Sequence, residues 1–460
     1  MSWDRQSAAQ QQKLQKAALT AQLVDAVGPF SPFWRDRFKA VGTTAVKAAA
    51  DITKLAAVGE RDVCPDGDPA GAAALVLQAG ESGWALHAEG PRLRRALATR
   101  LARRGSYQQV VEADTRPTSF VFAGLGLRYP VASTRSDLDV VARAGARLWT
   151  VLGLTRNDVL VAAVEPEPSA SYQALQLAAL GAGAPAIFPG EDPDEVTSSL
   201  RLVPATVLAL PTDNAETLLD DLDEAGAPLT TVRSVLLVGA PSDDERSGVA
   251  EALTRAGINA RILAVHVPEG HRLMWAECAA GKGLHTYPDL ELVQLVDPET
   301  GATNDGHGPD EVVVTQLGLR GSALLRWRTA DLADGIETGT CSCGRTVPRL
   351  MGVRRHALVP VLALRSGYRG VDLRGLASAL DGRGDLDDWR IVVGPSPRDE
   401  HDEVVVHVVP RGDDDPADVA VAVARDIRSV AGLLPTQVVV NAADALPDGD
   451  RISRRVHQRV

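Results

Sequence analysis

Between residues 159 and 256, short apolar runs alternate with amphipathic stretches. The runs are Val159-Leu-Val-Ala-Ala-Val164, Pro185-Ala-Ile-Phe188, Thr206-Val-Leu-Ala-Leu210 and Val235-Leu-Leu-Val238, and helical periodicity fills 170–180, 192–201, 213–224 and 242–256. A strand covered on both faces reads as a continuous apolar run, and parallel strands need a crossover that a helix of this length supplies. The text therefore predicts an α/β fold, a mostly parallel sheet with helices on both faces.

The flanks have different rhythms. Residues 8–57 read as helical, with Leu14, Ala18, Leu23 and Val24 at three-to-four spacing, broken by Ser31-Pro-Phe-Trp-Arg-Asp-Arg-Phe38. In a chain only 4% aromatic, that cluster predicts an anchor at a core edge. Beyond 285 the text turns β-rich: Glu291-Leu-Val-Gln-Leu-Val296 and Glu311-Val-Val-Val-Thr315 flank Asp297-Pro-Glu-Thr-Gly301 and Asn304-Asp-Gly-His-Gly-Pro309, which suits a hairpin or small barrel. Near the end, Arg390-Ile-Val-Val393, Glu403-Val-Val-Val-His-Val-Val409, a helix over 416–433 and Gln437-Val-Val-Val440 make a β-β-α-β module. The expected division is a large N-terminal domain over 1–353, with a β-rich part at about 278–350, and a small α+β domain over 354–460. No repeat of 20–50 residues is visible.

Charge narrows the ligand. Against 48 Lys plus Arg stand 60 Asp plus Glu, a net −12 that repels nucleic acid and anionic membrane, so a small or acyl-type ligand is expected. Residues 1–22 are Gln-rich without an apolar core, and 174–188 is too short and broken to cross a bilayer, so neither signal, lipid anchor nor membrane span is expected. Four cysteines in 460 residues make no disulfide framework, which points to a reducing cytoplasm.

Three groups of residues could carry chemistry. Thr118-Ser-Phe-Val-Phe-Ala-Gly-Leu-Gly-Leu-Arg-Tyr-Pro130 is the only glycine-bearing stretch that could open from a strand into a helix and cradle phosphate at Gly124 and Gly126. It lacks the third glycine of a dinucleotide fingerprint and the Gly-Lys-Ser/Thr of a Walker loop, so a buried strand ending in a glycine turn is the plainer reading. Cys341-Ser-Cys343 with Cys278 and His285 supplies four donors for tetrahedral zinc, a closed structural set. Spacing alone leaves free buried cysteines nearly as good an account. Asp331, after Arg326 and Arg328, suits either an ion pair or a carboxylate accepting from ribose hydroxyls. His266, His271, His307 and His356 sit in no nucleophile elbow and read as structural or solvated.

The order of segments resembles the AMP-forming adenylating enzymes, specifically their phenylacetate-CoA ligase branch. The resemblance rests on Ser31-Pro-Phe-Trp-Arg-Asp-Arg-Phe38, Gly239-Ala-Pro241 after a strand, Ala276-Glu-Cys-Ala-Ala-Gly-Lys-Gly-Leu-His285, Val296-Asp-Pro-Glu-Thr-Gly301, Leu325-Arg-Trp-Arg-Thr-Ala-Asp-Leu332 and Gly339-Thr-Cys-Ser-Cys-Gly-Arg-Thr346. It implies a small C-terminal lid that rotates between adenylation and thioester formation. It also implies that Asp331 meets the ATP ribose, that Gly239, Ala240 and Pro241 line the adenine side, and that Cys278, His285, Cys341 and Cys343 match positions able to bind zinc.

Departures accompany the matches. Of the family's Ser/Thr-Ser-Gly-Thr-Thr-Gly-x-Pro phosphate loop only Thr118 and Ser119 remain. Its aromatic-Gly-x-Ser/Thr-Glu segment, whose Glu binds magnesium, reads Val265-His-Val-Pro-Glu269, so Glu269 alone is kept. Its Gly-Arg-Ser-Asp-Asp hinge reads Gly352-Val-Arg-Arg-His356. Its adenylation lysine is matched best by Arg451 in Asp450-Arg-Ile-Ser-Arg-Arg455. The expectation is a relative in which adenylation is weakened or lost and a binding or interaction role remains. Its ligand would be a small carboxylic acid or a nucleotide such as AMP, and a protein partner or a second copy also fits. The other reading is an active ligase using ATP with magnesium and CoA on an aryl or acyl acid.

Overall fold

Apolar residues that alternate along the central strands pack on opposite sides of one sheet, which is what makes this chain a layered α/β protein. The structure is a computed structural model describing residues 3–64, 68–78, 115–124, 128–281, 283–298, 300–303, 310–356, 359–364, 367–371, 373–396, 401–412, 415–431, 434–442, 445–447 and 451–454. Gly126, His307, Asp450, Arg455 and the 304–309 stretch lie outside them.

In chain order, β1 (Pro117–Ala123) and β2 (Tyr129–Thr134) form a separate pair. They precede β3 (Leu160–Ala162), β4 (Ala186–Ile187), β5 (Val207–Pro211), β6 (Ser234–Val238), β7 (Arg261–His266), β8 (Trp275–Ala276), β9 (Leu284–His285), β10 (Glu291–Val296), β11 (Asp310–Gln316), β12 (Trp327–Ala333), β13 (Gly335–Glu337), β14 (Arg349–Met351) and β15 (Arg354–Arg355). A nine-stranded sheet runs β13-β14-β9-β8-β7-β6-β5-β3-β4, and a four-stranded one runs β10-β11-β12-β15. Strands β3 to β7 pair in parallel, while β7, β8, β9, β14 and β13 pair antiparallel.

Alternation along the strands divides the core. Ala162, Val207, Ala209, Leu236, Leu263 and Val265 pack with Leu148, Leu152, Leu175 and Ala178 of helices Arg135–Val151 and Ala170–Ala182 on one face. Val161, Leu208, Leu210, Val235 and Leu237 pack with helices Pro193–Leu202, Ala215–Glu224 and Asp243–Arg255 on the other. At roughly 25 cal/mol per Å² of buried apolar surface, these two faces supply the main favourable term of the unit's folding.

The N-terminal segment folds as Ala8–Ala21, a π-helical turn Gln22–Val27, Pro32–Ala40 and Ala45–Ala50. Ser31 caps Pro32–Ala40 by accepting from Trp34 N, and Trp34, fully buried, donates Nε1 to Ala323 O at 3.0 Å. The aromatic cluster is thus an anchor.

Two features depart from the sequence reading. The glycine-bearing stretch after residue 118 joins β1 to β2, a strand to a strand, so it opens no helix. β1 is also half exposed rather than buried: Phe120 and Phe122 point outward at 52% and 39% exposure. Helix Arg135–Val151 was not anticipated. It begins in a capping box in which Thr134 and Asp137 each bond the other's backbone N–H.

By contacts the chain divides into one unit of Met1–Val58, Ala74–Phe122 and Val131–Arg354, and a second of Gly59–Ala73, Ala123–Pro130 and Arg355–Val460. Within the second, β16 (Val361–Leu364) and β17 (Gly367–Gly370) pair, and β18 (Leu386–Pro395), β19 (Asp402–Pro410), β20 (Gln437–Val440) and β21 (Ile452–Arg454) form a sheet in the order β20-β19-β18-β21. Alternating Trp389, Ile391 and Val393 of β18 and Val404, Val406 and Val408 of β19 face Leu373, Leu376 and Leu380, and Val419, Val423 and Ile427, of two amphipathic helices.

Candidate functional site

Ligand crevices in open parallel sheets lie beyond the carboxyl ends of the strands. Two candidate segments fall there. β6 ends into Gly239-Ala240-Pro241, where Gly239 N donates to Val265 O at 2.8 Å and φ is 146°. A Cβ at Gly239 would stand 2.5 Å from Thr212 Oγ1, at the end of β5, so the turn requires glycine. Ala240 and Pro241 are half-buried, and Ser242 then caps helix Asp243–Arg255.

β7 ends at His266, and the chain turns through Glu269-Gly270. Glu269 is half-buried, with Oε1 accepting from Gly270 N at 3.2 Å. Gly270, at φ 71°, leaves room for Trp327: a Cβ there would approach its Nε1 to 2.6 Å. Trp327 opens β12, which carries Asp331. Asp331 is fully buried, and its Oδ2 lies 2.7 Å from Nε2 of His266, itself 3% exposed. Gly239, His266, Glu269 and Asp331 are therefore one neighbourhood. Arg328 bonds Glu311 and Pro298 O, and Asp331 pairs with the histidine. The sequence reading did not foresee this pairing, since 65 residues separate the two partners.

Thr118 and Ser119 are engaged locally. Thr118 Oγ1 donates to Ser133 O at 3.3 Å, Gln173 Nε2 donates to Ser119 Oγ at 2.9 Å, and Phe122 N donates to Pro168 O at 2.6 Å. In the second unit, Arg451 donates to Asp381 Oδ1 at 3.0 Å and Asp388 Oδ1 at 3.5 Å, with its guanidinium 4.9 Å above the Trp389 ring. Asp388 is held below the usual carboxylate range: burial raises it, but the bonds from Trp389 N and Arg390 and the charges of Arg390 and Arg451 together prevail.

A second cluster lies in the β-rich part of the first unit. Cys278, His285, Cys341 and Cys343 bring donor atoms within 4.8 Å of one another, a candidate metal site. Strand register sets it up, because His285 on β9 pairs with Ala276 of β8 and Arg349 of β14. Cys278 follows β8 and closes a turn with Gly281 N, while Cys341 exchanges backbone bonds with Gly344 and Arg345, Gly344 taking φ 82°. Cys278 Sγ lies 3.7 Å from Cys341 Sγ, and Cys343 Sγ lies 3.8 Å from His285 Nε2. Burial, with Arg345 and Arg349 nearby, lowers His285 to about 4, so the imidazole is a neutral donor. Burial pushes Cys278 up to about 12. Cys343 is lowered, because bonds from Arg345 and the other two thiols outweigh its burial. His285 Nδ1 is buried without a hydrogen-bond partner. Three thiols and a neutral imidazole so clustered fit a soft or borderline cation.

No protein-family model matches the chain, and no curated protein matches it. Solved structures do. 2-Hydroxyisobutyryl-CoA ligase, in complex with 2-HIB-AMP and CoA in the thioesterification state, superimposes with a TM-score of 0.66 at 15% identity, over 98% of this chain and 91% of that one. The chain has the fold of the adenylate-forming acyl-CoA ligases. The same ligase in its postadenylation state with 2-HIB-AMP gives a TM-score of 0.61 at 14% identity, covering 98% and 90%. An open conformation with 2-HIB-AMP and CoA gives 0.59 at 14%, covering 98% and 93%. At such identity the likeness is one of fold. Among the described residues no helix of this ligase-fold chain is long and apolar enough to cross a membrane.

Proposed function

We propose that this protein is a phenylacetate-CoA ligase-like member of the adenylating enzymes in which ATP-dependent adenylation is weakened or lost and a binding or interaction role is kept. The segment at the phosphate-loop position carries the reading. Phe120 and Phe122 stand exposed there, the Thr118 hydroxyl donates to Ser133 O and Phe122 N donates to Pro168 O, so among the described residues of this segment two donors a triphosphate could use are already engaged. Removing one preorganised contact to developing charge costs about 3–4 kcal/mol, and here the loop, the hinge and the lysine position are altered together. Arg451 keeps a cation at the last of these, yet a planar fork does not reproduce a compact ammonium.

Zinc is the ion that three thiolates and one imidazole suit, in a closed structural set. Cys278, His285, Cys341 and Cys343 would hold it and staple the β8–β9 hairpin to the turn before β14. The ligand would be a small carboxylic acid or its acyl derivative, in a cytoplasmic protein whose described cysteines are all free thiols. Calorimetric titration of ATP with magnesium tests this: weak or undetectable binding is expected, and low-micromolar affinity would overturn it.

One observation favours the second reading, an active ligase that converts an aryl or acyl acid to its CoA thioester. The fold match spans nearly the whole length of a ligase that was crystallised with 2-HIB-AMP and CoA. Such an enzyme would use ATP, magnesium and CoA, with Glu269 near the metal and Arg451 at the acyl phosphate.

A further inference from the structure

We propose that His266 closes the nucleoside position of this site: by holding Asp331 it denies the carboxylate to ribose hydroxyls and turns the crevice toward ligands without a ribose. The inference rests on the reading above that Asp331 and the Gly239–Pro241 turn mark that position.

A carboxylate captures a vicinal diol by accepting from both hydroxyls. Here Oδ2 of Asp331 already accepts from His266 Nε2 at 2.7 Å, with the two side chains 0% and 4% exposed, so a diol that places one hydroxyl on each oxygen must displace the imidazole from Oδ2. In the aromatic-Gly-x-Ser/Thr-Glu register, His266 stands at the glycine, so an imidazole fills space that a glycine would leave open. Its position is also enforced. His266 pairs with Trp275 across β7 and β8, and the two rings lie 6.4 Å apart. Trp275 is fully buried and donates Nε1 to Glu291 Oε1 at 2.9 Å. Glu291 is fixed in turn by Tyr287 N at 2.7 Å and His271 Nε2 at 2.6 Å. His271 is oriented by Gln316, whose Oε1 accepts from Arg272 and whose Nε2 therefore donates to His271 Nδ1 at 3.0 Å. The imidazole on Asp331 thus packs beside Trp275, which a buried hydrogen-bonded array holds in place, and a ribose would have to displace it against packed neighbours.

Titration of adenosine, AMP and 2′,3′-dideoxyadenosine into wild type, His266→Ala, His266→Gly and His266→Gly/Asp331→Asn tests the inference, with near-UV dichroism reporting the fold. The wild type should not distinguish adenosine from the dideoxynucleoside. A folded His266→Ala or His266→Gly should bind adenosine and AMP at least about tenfold tighter than wild type, the scale of a hydrogen bond to a charged group. That gain should vanish for the dideoxynucleoside and in the double variant. A wild type that prefers ribose tenfold, or a folded His266 variant with no gain, would overturn the proposal. If neither variant folds, the wild-type comparison decides. Pyrophosphate release by the wild type would sink the weakened-ligase reading, and the titrations would still decide the ribose contact separately, because adenosine and its dideoxy form differ only in the ribose hydroxyls.

Discussion

Nε2 of His285 lies 3.8 Å from Sγ of Cys343, while its buried Nδ1 has no hydrogen-bond partner. With Nε2 turned toward that sulfur, the imidazole is placed to share a cation with the Cys343 thiolate. We expect one zinc per chain in protein prepared without chelator, read by elemental analysis. Cys343→Ala should lower both the metal content and the melting temperature. Well under one zinc in the wild type would contradict the assignment.

A second expectation concerns Asp137, which joins the helix start at 135 to the strand-to-strand loop at 321. Fully buried, it accepts from Thr134 N at 3.0 Å, Arg272 Nη1 at 3.2 Å, Arg320 N at 2.8 Å and Gly321 N at 2.7 Å. Asp137→Ala leaves Arg272 buried without its carboxylate and should cost about 3–5 kcal/mol, measured as a fall in the denaturant midpoint.

Acid should weaken the amino-terminal end of the parallel strands at Asp158. Burial raises this carboxyl, but bonds from Thr155 and Thr206 and the charge of Arg233 together hold it below its ordinary 3.8. A depressed folded value means the stabilisation is complete above the unfolded value and is lost as pH falls through the folded one. Asp158→Asn should therefore be less stable than wild type by about 2 kcal/mol at neutral pH. The gap should narrow below pH ~4 in melting curves taken across pH.

Gly239→Ala places a methyl 2.5 Å from Thr212 Oγ1 at φ 146°, a conformation side chains rarely adopt. It should destabilise by about 1–3 kcal/mol, and Thr212→Ala should restore only the part due to the clash, as a double-mutant melting series would show.

What the sequence made legible follows from burial. Val159 to Val238 gave away the central strands because a strand covered on both sides leaves no polar position. The amphipathic runs between them had to be crossovers. The C-terminal module was equally plain in Glu403 to Val409 and the helix after Pro416. The site was harder to read. Cys278 and His285 are separated from Cys341 and Cys343 by strands whose register brings them together, so spacing alone left free thiols as an equal account. His266 and Asp331 meet only because β7 and β12 converge, and nothing local to either residue announces the other. Helix Arg135–Val151 did carry a signal, the Thr134-x-x-Asp137 box, in a place where the strand pattern drew attention instead.

Pyrophosphate release across a panel of aryl and acyl acids, with ATP and magnesium, measures whether adenylation is weakened or lost. Arg451, bonded to Asp381 and Asp388 and stacked on Trp389, is expected to be a surface cation of its own unit. Wild type should show no acid-dependent release, and Arg451→Ala and Arg451→Lys should change nothing. Robust acid-dependent release that disappears in Arg451→Ala would contradict this expectation.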